Sequence, residues 1–255
     1  VPIALGIIAS SGQADLPLLG DFMIMGELSL DGGIRAVPGA LPIVELAMKD
    51  GLKGCILPME SALEAVEYDG IDIYAVDDLR EVLRILSGQE PCDDLKVAAR
   101  RRSLVREDPK VSADVDRKAS DVFGPMDFSE IIGQEGAKRG VEIACAGGHN
   151  VIMIGSPGSG KSSLAKAMAG ILPPMTLEES VQTSKVYSVA GKGNPLGGLM
   201  KSRPFRSPHY SASVAALIGG GSDSIMPGEI SLAHNGILMI DEFCEAPKKI
   251  LEVLR

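Results

Sequence analysis

Residues 155–162 have the side chains and the spacing of a phosphate-binding loop (the phosphate loop). They read Gly-Ser-Pro-Gly-Ser-Gly-Lys-Ser and satisfy the pattern G-x-x-x-x-G-K-[ST] at every position. Glycines let the backbone wrap around a phosphate, and the helix that follows adds its positive N-terminal end. Lys161 can then reach the β- and γ-phosphates while Ser162 coordinates Mg²⁺. The motif predicts a site for ATP and Mg²⁺ whose binding residues are Gly155, Ser156, Pro157, Gly158, Ser159, Gly160, Lys161, Ser162 and Ser163.

An acidic pair supplies the second half of such a site. Asp241 and Glu242 directly follow the apolar run 237–240. At the end of a strand, Asp241 can hold Mg²⁺ through water, and Glu242 can orient or deprotonate the attacking water. Taken alone, an acidic pair after a strand is as often a solvated strand end as part of a nucleotide site. A glycine-rich turn can likewise match the phosphate-loop pattern by chance. Both motifs in one chain favour nucleotide hydrolysis, with Lys161, Asp241 and Glu242 as the catalytic residues.

These residues need strands and helices to position them. The apolar run 151–154 predicts a buried strand that leads into the phosphate loop, and a helical pattern follows the loop. Residues 237–240 predict a second buried strand, and residues 129–146 predict a helix. Residues 176–179 form a capping box that starts another helix. We therefore expect an α/β fold with a parallel sheet.

The first 88 residues predict an α+β domain of their own. Residues 22–30 and 34–37 are strand-like, and the Asp-Gly-Gly sequence between them is typical of a tight hairpin turn. The remaining pattern predicts, in order, a helix over 41–48, strands over 54–58 and 72–76, and a helix over 79–86 that follows the capping candidates Asp77 and Asp78 and ends at Gly88.

Charge divides the chain into three parts. The net charge is −9, and the first 90 residues hold 15 acidic and only 5 basic side chains. Residues 89–126 contain a basic cluster flanked by acidic residues, which favours a solvated interdomain linker over a nucleic-acid-binding arm. The predicted domains are therefore 1–88, the linker 89–126, and 127–255. The basic cluster comprises Lys96, Arg100, Arg101, Arg102 and Arg106.

Cysteine spacing and hydropathy indicate the class of protein. The four cysteines are far apart and form no Cys-x-x-Cys pair, so buried reduced thiols in a cytoplasmic protein are expected. His209 and His234 have no second ligand at metal-binding spacing. No apolar run approaches the roughly 20 residues that a membrane span requires.

A second surface could bind a substrate. Residues 180–222 contain no acidic side chain, yet they carry several bases with interleaved aromatic rings. Such loops suit contact with DNA, through backbone phosphates and stacked bases. The equal alternative is a structural loop whose arginines cap carbonyls or pair with acids. The possible DNA contacts are Lys201, Arg203, Arg206 and Tyr210.

Several segments together resemble a known family. They are residues 131–135, 146–150, 203–209 and 227–236, with the phosphate loop and the Asp241-Glu242 pair. They are similar to the magnesium-chelatase-related AAA+ ATPase family of ComM (YifB) type, which is bacterial. This resemblance implies a P-loop AAA+ core with an insertion in its second helix, and a homohexameric ring with sites between subunits. By the same analogy Ile131 and Ile132 line the adenine pocket.

A segment in the first third of the chain resembles a different family. Residues 26–39, Gly-Glu-Leu-Ser-Leu-Asp-Gly-Gly-Ile-Arg-Ala-Val-Pro-Gly, resemble the hairpin of the Lon-type protease domain. Lon chemistry uses a Ser–Lys dyad, and the lysine position falls at about Leu41. Because no lysine occurs between Arg35 and Lys49, we expect a partial, non-proteolytic Lon-like domain.

The resemblance implies a ring-forming motor that acts on DNA, as a helicase or in branch migration. A chelatase-like remodeller of a protein partner and an ATP-dependent Lon-like protease subunit are the alternatives. The chain starts within an apolar pattern and stops in a helix-like one, shortly after Asp241, so we expect it to be a fragment. Such a fragment binds nucleotide with little turnover, whereas the full-length protein is an ATPase.

Overall fold

A computed structural model describes residues 1–107, 126–193, 198–221, 225–245 and 248–254. The chain forms two compact units. The first comprises Val1–Val115 and Tyr187–Leu199, and the second comprises Asp116–Val186 and Met200–Arg255. The rest of the predicted linker, residues 108–125, lies outside the described residues.

The first unit combines a parallel sheet, a hairpin and helices. Its helices are α1 (Pro2–Ser10), α2 (Ala40–Lys49), α3 (Met59–Glu64), α4 (Leu79–Ser87) and α5 (Val97–Glu107). Its strands are β1 (Phe22–Ile24), β2 (Glu27–Leu28), β3 (Ile34–Arg35), β4 (Gly54–Pro58) and β5 (Asp72–Val76). The predicted helices and strands between residues 41 and 86 are confirmed, with bounds that differ by at most one residue.

The parallel sheet has the order β1-β4-β5. Its central strand β4 is buried along its whole length, as the unbroken apolar sequence requires of a strand covered on both faces. Gly54 pairs with Phe22 and Asp72, and a Cβ at this position would lie 2.4 Å from the Asp72 carbonyl oxygen. Only glycine therefore lets the three strands approach at this level.

The hairpin prediction is confirmed, but residues 22–30 do not form one strand, and the strand predicted over 34–37 is limited to Ile34–Arg35. β2 and β3 pair antiparallel, with Leu28 opposite Ile34. The break falls at Gly26, which has φ 147° and whose added Cβ would lie 2.7 Å from Ile34. The glycine turns the chain out of the parallel sheet after β1 and into the hairpin.

Helix α4 shows how local sequence fixes an element. The Asp78 carboxylate accepts a hydrogen bond from the Glu81 N–H at 3.0 Å, and Gly88 ends the helix with φ 64°. Val82, Ile85 and Leu86 are buried in the core of the first unit. The cap satisfies a backbone donor that the helix itself cannot pair.

Helix α5 carries part of the basic cluster against acidic side chains of the same unit. Arg100 forms ion pairs with Asp77 and Glu81, and its side chain is 17% exposed. Lys96 pairs with Asp72 at 3.0 Å. Within the described residues, these two members of the cluster neutralise acids of the first unit.

Ser188 caps a helix that lies far from it in sequence. Helix α2 begins after Gly39, which offers no side chain for capping. The Ser188 carbonyl accepts the Gly39 N–H at 3.0 Å, and its hydroxyl accepts the Leu41 N–H at 3.4 Å. Because Ser188 is fully buried, its segment is integrated into the first unit rather than resting on its surface.

The second unit holds short strands among helices. Its helices are α6 (Glu135–Gly147), α7 (Lys161–Ile171), α8 (Leu177–Val189, whose last three residues belong to the first unit), α9 (Val214–Ile218), α10 (Glu229–Leu232) and α11 (Lys248–Val253). Its strands are β6 (Phe205–Arg206), β7 (Gly219–Gly220), β8 (Met226–Pro227) and β9 (Ile237–Leu238). β6 and β9 pair in parallel, and β7 and β8 pair antiparallel.

Three predictions for the second unit need correction. Helix α6 starts at Glu135 rather than at residue 129, because Gly133 and Gln134 have φ of 72° and 60°, which no helix accommodates. Residues 151–154 form no strand and are not buried, with Ile154 90% exposed. No strand pairs with them in the described part of the chain, and a strand requires a neighbour. The strand predicted over 237–240 is limited to Ile237–Leu238.

The cysteine prediction is only partly confirmed. Cys55, Cys92 and Cys145 are free and buried, and burial raises the pKa of the Cys55 thiol to about 11. Cys244 is also free but exposed. Separately, none of the described helices has both the length and the apolarity needed to cross a lipid bilayer.

Loss of the α4 cap should destabilise the first unit. Asp78→Ala leaves the Glu81 N–H without its acceptor, and we expect the free energy of unfolding to fall by about 1 kcal/mol. Asp78→Asn retains an oxygen acceptor and is the matched control, expected near the wild-type value. Urea unfolding followed by circular dichroism checks both. An alanine variant as stable as the asparagine variant would contradict the capping role.

Glu64 should make stability depend on pH in the opposite sense to most carboxylates. Burial raises the pKa of Glu64, a hydrogen bond from Ser188 offsets only part of the rise, and its Oε2 has no hydrogen-bond partner among the described residues. The folded chain therefore binds this proton more tightly than the unfolded chain, so stability falls as pH rises between the two pKa values. Glu64→Gln should gain about 1 kcal/mol at neutral pH and nothing at a pH below the ordinary glutamate pKa.

Thermal unfolding at the two pH values measures this difference. Glu60→Gln is the control, because Glu60 lies on the same helix and is exposed. An equal gain for Glu64→Gln at both pH values would show that burial of charge is not its cause.

Candidate nucleotide site

The phosphate loop has a backbone that only glycine adopts readily at two positions. Gly158 and Gly160 have φ of 76° and 85°. The Ser159 N–H donates to the Ser156 carbonyl at 3.3 Å, which closes the turn. Gly160 is the N-terminal cap of α7 and provides no side-chain acceptor. The N-terminus of α7 thus retains the unpaired donors and the positive end that bind phosphate elsewhere.

Lys161, the first residue of α7, folds back over the loop. Its Nζ donates to the carbonyl oxygens of Gly155 and Ser156, both at 2.9 Å. The ammonium group is therefore held at the start of the loop by the loop's own backbone.

Ser162 and Asp241 meet although they are 79 residues apart in the sequence. The Ser162 hydroxyl donates to Asp241 Oδ2 at 3.3 Å. α7 positions the serine, and the chain leaving β9 positions the aspartate. The structure thus brings the two predicted halves of the site together.

The donor set at this contact fits Mg²⁺. A hydroxyl and a carboxylate are hard oxygen ligands, and Mg²⁺ in nucleotide sites is held by one or two such groups together with phosphates and water. In the described ranges, no three His, Cys, Asp or Glu side chains come together as a metal site. Mg²⁺ would accordingly be held by Ser162 and Asp241 with the nucleotide's phosphates, and it would neutralise charge on them.

Glu242 has an unusual backbone. Its φ is 49°, one of three positive values among the non-glycine residues described. The Glu242 N–H donates to Asp241 Oδ1 at 3.0 Å, and its carbonyl accepts from the Glu245 N–H at 2.8 Å. Left-handed residues other than glycine are uncommon and cluster at functional sites. The acidic pair is thus a tight turn with its own internal hydrogen bonds.

The predicted adenine-pocket residues lie in different surroundings. Ile131 packs against the core formed by Val141, Cys145, Leu164 and Met168, whereas Ile132 is 96% exposed. The structure therefore does not bring the two side chains into one apolar pocket in the described residues.

Gln134 touches the loop and was not singled out from the sequence. Its Nε2 donates to the Ser159 carbonyl at 3.4 Å, and its backbone is left-handed with φ 60°. Its place directly after Gly133 was the available signal, since such a pair marks a special turn.

The four possible DNA contacts divide into two groups. Arg203 and Arg206 have 14% and 26% exposed side chains and bind groups of the chain itself. The Arg206 guanidinium forms two hydrogen bonds of 2.6 Å with Glu229. Both arginines therefore match the alternative prediction, a structural loop whose arginines bind carbonyl groups and acidic side chains of the chain itself. Lys201 is exposed, and the ring of Tyr210 lies 4.3 Å from that of His209.

Two family models match the chain. The model described as magnesium chelatase, subunit ChlI, matches residues 127–255, and the model described as subunit ChlI of Mg-chelatase matches residues 1–61. The first match covers more than half of the chain and contains every residue of the phosphate loop and the acidic pair.

Curated relatives align with the whole chain. The protein YifB of Salmonella typhimurium is 38% identical over 258 residues, which cover 100% of this chain and 46% of YifB. The competence protein ComM of Haemophilus influenzae is 39% identical over 255 residues, which cover 100% of this chain and 47% of ComM. The chain thus spans about half the length of these relatives.

Part of the chain has a separate likeness. An archaeal Lon protease of Methanocaldococcus jannaschii is 34% identical over 84 residues, which cover 33% of this chain and 13% of the protease. This supports the presence of a partial Lon-like segment in the chain. The match of the first model over more than half of the chain, with relatives that align along all of it, shows that the chain belongs to the magnesium chelatase subunit ChlI family of AAA+ ATPases.

Proposed function

We propose that the chain binds ATP with Mg²⁺ and forms the catalytic part of an ATPase in the full-length protein. The hydrogen bond between Ser162 and Asp241 carries this proposal, because it unites the phosphate loop with the acidic pair. Two hard oxygen ligands at the N-terminus of α7 are what a Mg²⁺–triphosphate complex requires.

Each residue then has a separate task. The backbone N–H groups of the phosphate loop and α7 bind the β- and γ-phosphates, and Lys161 neutralises their charge. Ser162 and Asp241 hold Mg²⁺, directly or through water. Glu242 accepts the proton of the water that attacks the γ-phosphate, or orients that water. The free cysteines agree with a cytoplasmic protein as the proposed setting.

Substitutions in the site should separate phosphate binding from Mg²⁺ binding. Lys161→Ala should weaken ATP binding about 10- to 100-fold, because a hydrogen bond to a charged group contributes about 1.5–3 kcal/mol. Asp241→Asn should leave Mg²⁺-free ATP binding unchanged and reduce the gain in affinity that Mg²⁺ provides. Titration calorimetry with and without EDTA measures both quantities.

Lys166→Ala provides the control for these variants. Lys166 lies on α7, is exposed, and falls outside the motif. ATP affinity should match the wild type in this variant. If Lys161→Ala bound ATP as tightly as Lys166→Ala does, the assignment of the phosphate loop would fail.

We further propose that the full-length protein is a ring-forming motor, a homohexamer that acts on DNA. The relative of H. influenzae is named a competence protein, and residues 198–221 lack acidic side chains. Lys201 and Tyr210 are the proposed DNA contacts, because the guanidinium groups of Arg203 and Arg206 bind carbonyls and carboxylates of the chain. A lysine and a ring together suit contact with phosphate and base.

A chelatase-like remodeller is the second candidate, and the description of the family model favours it. Such a protein would use ATP to reshape a protein partner. A protease is not supported, since Leu41 at the expected lysine position is 2% exposed and lies in the first turn of α2.

DNA should stimulate the ATPase of the full-length protein if the motor proposal is correct. We expect at least a several-fold rise in turnover with DNA, and a smaller salt dependence of DNA affinity in Lys201→Ala, because one phosphate contact contributes about one unit of the slope. Steady-state ATPase assays and binding titrations over a salt series measure these effects. Stimulation by a protein partner and never by DNA would favour the remodeller instead.

A further inference from the structure

The Arg203 side chain joins three segments of the second unit. Its Nε donates to the Pro173 carbonyl at 2.6 Å, and one terminal nitrogen donates to the Asn235 carbonyl at 2.7 Å. The other terminal nitrogen binds Glu179 Oε2 at 2.9 Å and approaches the Pro174 carbonyl at 3.4 Å. The planar fork of arginine can satisfy several acceptors in fixed directions, which a lysine cannot do.

Two of the three segments adjoin the elements that carry the nucleotide site, α7 and β9, and the third is the start of α8. Pro173 follows α7, Glu179 lies in the first turn of α8, and Asn235 precedes β9. Glu179 also forms the capping box with Thr176, at 2.8 and 3.2 Å. The Thr176 N–H and the Arg203 guanidinium hold the pKa of Glu179 below its usual range, so this carboxylate stays charged at neutral pH.

Asn235 forms further hydrogen bonds between the segments that Arg203 joins. Its backbone is left-handed with φ 58°, which asparagine tolerates better than most residues. Its amide nitrogen donates to the Glu179 carbonyl and to Thr183 Oγ1, both at 3.2 Å. Asn235 is thus bonded to α8 by its side chain and to Arg203 by its carbonyl.

The Ser162–Asp241 contact and the Arg203 contacts lie at opposite ends of the pair formed by α7 and β9. From Ser162 to Pro173 the chain is mainly helical and spans about 17 Å at 1.5 Å per residue. After the turn at Asn235 and Gly236, the chain from Ile237 to Asp241 spans at most about 13 Å at 3.3 Å per residue. The two segments therefore run side by side in opposite directions, joined at one end by Ser162 and Asp241 and at the other by Arg203. Between the ends, Ile237 packs against the core of Leu164 and Met168.

We propose that Arg203 is a positioning residue for the Mg²⁺–nucleotide site: by binding the segment that follows α7 and the turn that leads into β9, it sets the distance between Ser162 and Asp241. Without it, the chain before β9 can shift along α7, and the two Mg²⁺ ligands at the far end separate. The proposal rests on the nucleotide function proposed above. It assigns to Arg203 an intramolecular role in place of contact with DNA.

The gain in ATP affinity that Mg²⁺ provides tests this role. In the full-length protein, Arg203→Ala should reduce the ratio of dissociation constants without and with Mg²⁺ by about tenfold, equivalent to about 1.4 kcal/mol. Affinity for ATP in EDTA should change little, because the phosphate loop and Lys161 remain. Arg203→Lys should restore only part of the ratio, since one ammonium group cannot hold the three segments at once.

Arg206→Ala is the matched control. Arg206 follows Arg203 closely in the sequence and lies in β6, and its ion pair with Glu229 is comparably buried, but that pair joins β6 to α10 and not to α7. We expect this variant to lose stability and to keep the wild-type Mg²⁺ ratio. An equal loss of the ratio in both variants would overturn the proposal, because general destabilisation would then explain it.

Asn235→Gly keeps the test decisive if Arg203→Ala does not fold. Glycine accepts the left-handed backbone, while the two amide hydrogen bonds are lost, so the ratio should fall in the same direction. A wild-type ratio in the folded variants of Arg203 and Asn235 would refute the positioning role. If the wild-type protein itself showed no Mg²⁺-dependent gain, the proposed nucleotide function would fail instead.

Discussion

The hydrogen bond between Ser162 and Asp241 is the constraint on which the second unit depends. The 3.3 Å contact joins side chains 79 residues apart in the sequence, so it depends on how α7 and β9 are packed and not on either motif alone. Helix α7 carries one partner, and the parallel pair of β6 and β9 carries the other. Buried apolar contacts of Ile237 and the carbonyl groups bound by Arg203 hold α7 and β9 together. The site is therefore a property of the unit and not of its two motifs alone.

Much of the local structure could be predicted from the sequence, because short windows determine it. The Asp-Gly-Gly turn, the buried strand β4 and the capped helix α4 depend on residues within a few positions of one another. The phosphate loop likewise carries its glycines where the backbone is left-handed. In each case propensity, hydrophobic pattern and turn chemistry agree, and such agreement makes a prediction reliable.

Features that depend on distant partners could not be predicted. The apolar run 151–154 has the composition of a buried strand, but burial and pairing come from neighbours that no local pattern specifies. Arg203 looked like a surface base because its partners are 24 to 32 residues away in the sequence. A loop that binds DNA and a loop whose arginines bind groups of the same chain have the same composition. Only the geometry therefore distinguishes the two roles. The same limit applies to Ser188, which caps a helix 147 residues before it.

The left-handed backbone of Glu242 bears on how sequences with this fold can diverge. At φ 49° glycine and asparagine are the least strained residues, so drift without selection favours them at this position. A glutamate there adds backbone strain that its exposed side chain does not offset by packing, so a glutamate at this position points to a use for the carboxylate. The residue at this one turn should therefore separate relatives that hydrolyse nucleotide from those that have kept the loop only to bind it.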